Sequence, residues 1–386
     1  MSEWKEYKLG ELTIDGKGSY GIAAPAVDYD AAKYTYLRIT DINDDGTLNK
    51  NGLKSVDDKN APKYLLQPND IVFARTGASV GRSYFYDERD GELVYAGFLI
   101  KYSIDPLKVN PKILKFYTHS QAYYDWIQTV DNGATRGNIN AQTYASMPII
   151  LPERKEQDKI VSTLSSLDDK IDLLRRENAT LEAMAETLFR QWFVEEAKED
   201  WEEKPLSTIA TFLNGLACQK YPPKNEIDKL PVLKIRELSN GIGNDSDWAT
   251  NSVGSEYIVH AGDVIFAWSA SLMVKIWDGE DCILNQHLFK VTSDKYPKWF
   301  YYFWCKHHLD EFISIAQSHA TTMGHIKRND LDTAMVLVPS NEELLNMTAQ
   351  MEGLLQKIEN NNRQINTLIQ TRDELLPRLM SGEVKV

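Results

Sequence analysis

Ile160, Leu164, Leu167, Ile171, Leu174, Asn178, Leu181, Ala185, Leu188 and Trp192 follow one another at alternating steps of four and three. No Gly or Pro interrupts the chain between Glu153 and Lys198. A side chain returning at that alternation keeps to one stripe of a helix, so the segment predicts a long helix with a heptad seam. A second segment repeats the pattern through Met347, Met351, Leu354, Ile358, Asn361, Ile365, Leu368, Arg372, Leu375 and Leu379, with only Gly353 and Pro377 inside it. Each seam carries an Asn, Asn178 at an a position and Asn361 at a d position. In an antiparallel pair a faces d, so Asn178 would meet Asn361, with Leu164 near Leu375 and Leu181 near Ile358. In the same register Leu167 lies beside Arg372, and Asp168 or Asp169 can meet the guanidinium at the seam's edge. A buried Asn costs stability and fixes register. The stretch from Ile160 to Trp192 would span roughly 48 Å at 1.5 Å per residue.

The two helices belong to a longer repeat. Trp4-Lys5-Glu6-Tyr7-Lys8-Leu9 returns as Trp201-Glu202-Glu203-Lys204-Pro205-Leu206, and Asp70-Ile71-Val72-Phe73-Ala74 as Asp263-Val264-Ile265-Phe266-Ala267. Ala134–Ile139 returns as Thr321–Ile326, and Pro152 as Pro339. A period near 190 residues means two copies of a whole domain plus helix, not a solenoid. The expected organisation is a globular domain over 1–152, a spacer helix over 153–200, a second globular domain over 201–339, and a second helix with a tail over 340–386. The globular parts are rich in Tyr, Trp, Phe, Ile and Val with Gly, Asn, Asp and Pro between, which reads as many short strands. One helix is expected at 111–128, mirrored near 297–315. The fold class is therefore α/β (α+β): two strand-rich domains separated by a long antiparallel two-helix coiled coil. A pseudo-two-fold internal repeat would set the domains at opposite ends, like a caliper.

The 386 residues carry 43 Lys+Arg against 56 Asp+Glu, a formal net charge of −13. Bulk charge does not favour nucleic acid, but binding also follows local charge. No run of 18 apolar residues marks a membrane span, and the charged N-terminus is not a signal peptide. Cys218, Cys282 and Cys305 are too far apart for a CxxC zinc site or a disulfide framework, which points to a reducing, cytoplasmic setting. No P-loop, no methyltransferase cofactor turn and no nucleophile–base constellation occurs. Gly16-Lys17-Gly18-Ser19-Tyr20-Gly21 reads as a glycine-rich turn. The adjacent His307 and His308 point apart on a helix, which disfavours a metal site. The chain is expected to be non-catalytic.

Polar loops with basic and aromatic residues stand at matching places in both copies. Arg75-Thr76-Gly77-Ala78-Ser79-Val80-Gly81-Arg82 corresponds to Trp268–Lys275, and the loop at 132–140 to that at 318–328. Arginine can read guanine bidentately, Asn suits adenine, Ser and Thr bond bases or phosphates, and Lys suits phosphates. The candidate DNA contacts of the first copy are Arg75, Thr76, Ser79, Arg82, Thr135, Arg136, Asn138 and Asn140. Those of the second are Trp268, Ser269, Ser271, Lys275, Thr321, Thr322, His325, Lys327 and Arg328. Gly and Asn there also serve β-turns.

In this order, the whole chain resembles the specificity (S) subunit of Type I restriction–modification systems. The resemblance rests on Asp70–Gly77, Asn132–Thr135, Pro148-Ile149-Ile150-Leu151-Pro152 with Glu156-Gln157, their second-copy equivalents, and Leu375-Leu376-Pro377-Arg378-Leu379-Met380-Ser381-Gly382-Glu383. The second copy departs at Asn341-Glu342-Glu343-Leu344, which lacks the Glu-Gln pair, and at Trp268, where the family often has Arg. The resemblance implies two target recognition domains, each reading half of a bipartite sequence in double-stranded DNA, with the helices as ruler and docking surface. It implies two modification subunits bringing S-adenosylmethionine chemistry on adenine, restriction subunits bringing ATP and Mg, and no cofactor, metal or membrane contact on this chain. Two rival readings differ from it: a two-headed adaptor holding peptides or glycans, and the specificity half of a fused enzyme.

Overall fold

A computed structural model describes residues 4–131, 138–243, 245–318 and 324–385. The chain forms two compact units, Met1–Lys170 with Leu368–Val386, and Ile171–Thr367. Both units divide inside the long helices, whereas the sequence reading places the junctions at 152/153 and 339/340. At those junctions a strand ends and a helix begins: Pro148–Leu151 precedes Arg154, and Met335–Val338 precedes Asn341.

In the first unit Lys5–Lys8 pairs antiparallel with Pro148–Leu151, tying the start of the globular part to its end. One four-stranded sheet has the order Ser19–Tyr20, Leu99–Ser103, Asp70–Ala74, Ser83–Phe85, all antiparallel. A second has the order Ala26–Asp28, Lys54–Val56, Tyr34–Leu37, Leu93–Tyr95, with its last pair parallel. The second unit repeats the plan. Glu202–Pro205 pairs with Met335–Val338. An antiparallel sheet runs Thr211–Asn214, Leu288–Thr292, Val264–Ala267, Met273–Ile276. A mixed sheet contains Leu230–Leu233 parallel to Cys282–Leu284.

The central strand of each antiparallel sheet explains its unbroken apolar run. Successive side chains point to opposite faces, and here both faces are covered. Ile71 and Phe73 pack with Leu114, Tyr123 and Tyr144, while Val72 and Ala74 pack with Leu37, Tyr84 and Leu93. In the second unit Val264 and Phe266 join Trp299 and Phe312, and Ile265 and Ala267 join Leu233 and Trp277. The leading carboxylates are anchored alike. Asp70 accepts from the Gln67 amide at 2.8 Å and Ser103 Oγ at 2.6 Å, and pairs with Lys101 at 3.1 Å. Asp263 accepts from the His260 amide at 2.9 Å and pairs with Lys290 at 2.7 Å.

The helices expected at 111–128 and 297–315 are each split in two: Ile113–Tyr117 and Gln121–Asp131, then Lys298–His307 and Leu309–Ser318. In the first, Thr118 and Ser120 hydroxyls donate to the Lys115 and Tyr117 carbonyls at 3.0 and 2.7 Å, offering the backbone an alternative to the helical ladder. In the second, the break falls at His308, whose Nε2 meets the Met335 carbonyl at 2.9 Å.

The long helices are Arg154–Arg190, ending in a π-helical turn at Gln191–Glu195, and Asn341–Met380. The second starts in a capping box: the Ser340 amide donates to Glu343 at 3.1 Å and the Glu343 amide to Ser340 Oγ at 3.3 Å. Lys198 pairs with the same carboxylate at 2.5 Å, and this contact, with Ser340 and the Trp201 indole, holds Glu343 down at about 2. Every seam residue is buried or half-buried. In the first unit Ile160 and Leu164 pack with Leu376 and Leu379, and Asp168 pairs with Arg372 at 3.2 Å. In the second, Asn361 Nδ2 donates to Asn178 Oδ1 at 2.9 Å and to Glu177 at 3.0 Å, and Asn178 Nδ2 donates to Asn362 at 2.6 Å. Within the second unit rising numbers along the first helix meet falling numbers along the second, from Glu177–Lys357 to Lys198, just beyond the first helix, with Glu343, so the pair is antiparallel.

Asp168 is mostly buried, and burial pushes its carboxyl up. Lys115 at 2.5 Å and Arg372 outweigh that and hold it below the ordinary carboxylate range. Arg372→Ala is expected to lower the stability of this unit by about 1.5–3 kcal/mol, the worth of a hydrogen bond to a charged group. Urea unfolding with an unchanged m value measures it. A lowered carboxyl stabilises above its unfolded pKa and ceases to do so as it protonates, so the penalty should shrink only below about pH 4.

Candidate nucleic-acid interface

The central strand of the first unit runs straight into Arg75-Thr76. Thr76 bridges Asn138 antiparallel, the Ile139 amide donates to the Arg75 carbonyl at 2.9 Å, and the Arg75 amide donates to the Phe98 carbonyl at 3.1 Å. Three segments far apart in sequence therefore meet at one strand end. The Arg75 guanidinium lies over the Tyr20 ring, 4.9 Å from its centroid. Its Nε and Nη2 donate to Asn138 Oδ1 at 3.3 and 3.2 Å. The Tyr20 hydroxyl accepts from the Ala141 amide at 3.1 Å. Tyr20 and Phe98 are both exposed.

Other residues named from the sequence hold the frame. Asn140 caps the helix Ala141–Ala145, accepting from the Thr143 amide at 2.9 Å. Arg82 pairs with Asp44 at 2.6 Å and donates to the Ile42 carbonyl at 3.2 Å. Ser79 closes a short turn, its carbonyl taking the Arg82 amide at 3.0 Å. Thr135 and Arg136 lie outside the described residues.

The second unit builds the same frame with other side chains. Ser269 bridges His325, the Ile326 amide donates to the Trp268 carbonyl at 3.1 Å, and the Trp268 amide donates to the His287 carbonyl at 3.3 Å. Trp268 thus stands where Arg75 does, His325 where Asn138 does, and His287 where Phe98 does. In place of Tyr20 is Asn214, whose Oδ1 accepts from the Trp268 indole at 3.2 Å. Trp268 stacks on Phe289 at 5.7 Å and has His325 edge-on at 6.2 Å. Ser269 is buried, its hydroxyl 3.1 Å from His287 Nδ1.

Ser271 is exposed on a shallow cleft of about 270 Å³ lined also by Leu272, Ile313 and Gln317. Lys275 lies off the loop, in the strand Met273–Ile276, 3.5 Å from both Asp278 and the Leu238 carbonyl. Strand register shows why: Ser83 faces Phe73 and Val274 faces Phe266, so the counterpart of Arg82 is Met273. Lys327 begins the helix Arg328–Thr333, its amide on Asp330 at 2.7 Å, and Arg328 donates to the Phe212 carbonyl at 3.3 Å. Thr321 and Thr322 lie outside the described residues.

Tyr20, Phe98, Asn214 and His287 are not among the candidate DNA contacts read from the sequence, because Tyr20 and Asn214 reach the loops through strand pairing and Phe98 and His287 through main-chain contacts. One signal was available. A Cβ on Gly21 would sit 2.2 Å from the Ala96 carbonyl oxygen, and one on Gly215 would sit 2.2 Å from that of Asn285. The glycine after Tyr20 and the glycine after Asn214 mark the same close approach. Among the described residues no group of three or more His, Cys, Asp or Glu could hold a metal ion, and the three cysteines are free and buried. No helix among them is long and apolar enough to cross a membrane.

Comparison with known proteins gives a consistent result. The family described as the Type I restriction modification DNA specificity domain matches residues 1–183 and again 198–370. The chain is similar to the MjaIX specificity subunit of Methanocaldococcus jannaschii, 25% identical over 68% of this chain and 66% of that protein. It is also similar to the HindI specificity subunit of Haemophilus influenzae, 21% identical over the whole of both. Among solved structures, the S subunit from M. genitalium superposes with a TM-score of 0.53 at 14% identity, covering 98% of this chain and 96% of that one, and so shares the fold.

Gly21→Ala and Gly215→Ala should each drive a methyl group into a backbone carbonyl. Each is expected to cost about 1–3 kcal/mol, as overpacking does, with equal rank in the two domains. Thermal unfolding of the two variants beside the parent checks it.

Proposed function

This chain belongs to the Type I restriction modification DNA specificity family, whose domain it carries twice, and from that premise we propose how it works. It is the DNA-specificity subunit of a Type I complex, with each globular domain reading one half of a bipartite duplex target. The observation that supports this is the frame found in both domains, one arrangement of main-chain contacts that presents Arg75 in the first and Trp268 in the second. Equal frames with unequal side chains suit two readers of different sequences. Asn138 and Thr76 in the first domain, and His325 and Ser271 in the second, lie on or beside those frames and contact bases or phosphates.

The long helices set the distance between the half-sites, and the asparagine layer at 178 and 361 fixes their register. Modification subunits dock on them and supply S-adenosylmethionine chemistry on adenine. Restriction subunits supply the ATP- and Mg-dependent steps. Seven of the thirteen net negative charges fall in 153–200 and 340–386, away from the reading loops and open to a protein partner. Each globular domain is itself slightly acidic, so tight binding to DNA belongs to the assembled complex.

Co-expression with the cognate adenine methyltransferase, followed by single-molecule mapping of methylated adenines, should give a bipartite motif. Exchanging residues 1–152 for the matching domain of a relative should change one half of that motif and leave the other. A change in both halves would remove the independence of the two readers.

Inserting four residues in one long helix should alter the spacer or abolish assembly, with the bases of each half-site unchanged. The same methylation map reads this outcome.

A further inference from the structure

Among the described residues of the first domain, three arginines are neutralised by carboxylates. Arg38 pairs with Asp41 at 2.6 Å, Arg82 with Asp44 at 2.6 Å, and Arg89 with Asp87 at 2.6 Å. Arg75 differs: among the described residues no carboxylate pairs with it. An uncompensated guanidinium on an acidic chain, at the point where three segments converge, calls for an acceptor from outside the protein.

The contacts of Arg75 say which acceptor. A guanidinium has two forks, one along Nε and Nη2 and one across Nη1 and Nη2. Asn138 Oδ1 takes the first fork, at 3.3 and 3.2 Å. Among the described residues nothing takes the second. The cation lies over the Tyr20 ring, 4.9 Å from its centroid, and the Asn138 oxygen shared by Nε and Nη2 orients the guanidinium, so the second fork is held in place. Tyr20 is itself held through its hydroxyl by the Ala141 amide at 3.1 Å. The neighbouring Gly77 has φ +72°, and among the described residues a Cβ there would touch nothing within 4 Å. Two parallel N–H donors in a fixed plane match the O6 and N7 acceptors of guanine in the major groove. A phosphate can take the same fork, but it has no N7, so removal of a guanine N7 tells the two acceptors apart.

The second domain lacks this device. The one N–H of Trp268 is spent on Asn214, and the ring lies against Phe289. It offers aromatic surface and no fork.

Resting on the specificity-subunit reading above, we propose that Arg75 reads a guanine in the first domain's half-site, with Tyr20 and Asn138 as its positioning residues. Trp268, its counterpart, reads no guanine.

The test uses the complex with its co-expressed methyltransferase and duplexes carrying the mapped motif. Each guanine is replaced in turn by 7-deazaguanine, which pairs normally and lacks the N7 acceptor. One guanine in the half-site assigned to residues 1–152 should prove sensitive, weakening binding by at least about fivefold. Arg75→Met keeps the length of the side chain and removes every N–H donor. It should bind the normal and substituted duplexes equally. Tyr20→Phe keeps the ring and should retain the sensitivity, while Tyr20→Ala should lose most of it. A role of Tyr20 confined to folding would instead weaken all duplexes alike. Trp268→Phe should leave every guanine effect as in the parent. A first half-site with no sensitive guanine, or sensitivity that survives in Arg75→Met, overturns the assignment and leaves the specificity-subunit reading standing. The absence of any bipartite motif overturns both.

Discussion

Burial of one strand on both faces is the constraint from which each domain is built. Asp70–Ala74 and Val264–Ala267 sit between a helix-packed face and a sheet-packed face, and a strand so placed has no freedom of register. A slip of one residue would exchange Phe73 with Val72 across the sheet, misplacing an aromatic ring on one side and leaving a void on the other. Asp70, the first residue of one strand, and Asp263, just before the other, fix them lengthwise through amide and ammonium partners, with a hydroxyl as well at Asp70. The residue leaving the far end is therefore placed to within a side chain's reach, and it is Arg75 in one domain and Trp268 in the other.

The helical seam works under a different constraint. Its apolar residues would accept several heptad registers, since leucine packs on leucine wherever the repeat allows. The asparagines do not. Asn361 is fully buried, and its Oδ1 has no hydrogen-bond partner among the described residues even with Nδ2 bonded to Asn178 and Glu177. Sliding by a heptad would part the two amides and leave each in an apolar layer, at several kcal/mol by the usual price of an unsatisfied buried amide. Asp168, held between Lys115 and Arg372, adds a charge layer one and a half heptads away in sequence from Asn178.

Much of this was legible in the sequence, for physical reasons that differ by element. The four-three alternation and the absence of Gly and Pro expose a long helix directly, because the signal is local and repeats many times. The two-faced strand shows as an unbroken apolar run, and its return at 263–267 shows the repeat. Tyr20 and Asn214 were hidden because nothing local marks a residue whose importance comes from pairing with Ile100 or Phe289 across a sheet. The single helix expected at 111–128 overlooked that Thr118 and Ser120 hydroxyls compete for carbonyls. Charge alone did not distinguish Arg75 from Arg82, since the difference lies in Asp44, a neighbour only in three dimensions.

The contacts that fasten Arg75 and Trp268 to their neighbours run through the main chain: an amide to residue 98 or 287, and a carbonyl to residue 139 or 326. No side chain is needed to close either loop at that position. The main-chain frame therefore accepts either side chain at that position, and exchanging one for the other need not undo the loop. If that position reads bases, a change of target need cost little stability there, whereas at Gly21 and Gly215 a single methyl collides with backbone. Comparing the variability of position 75 with that of position 21 across relatives would read the history of the recognised sequence from the protein side alone.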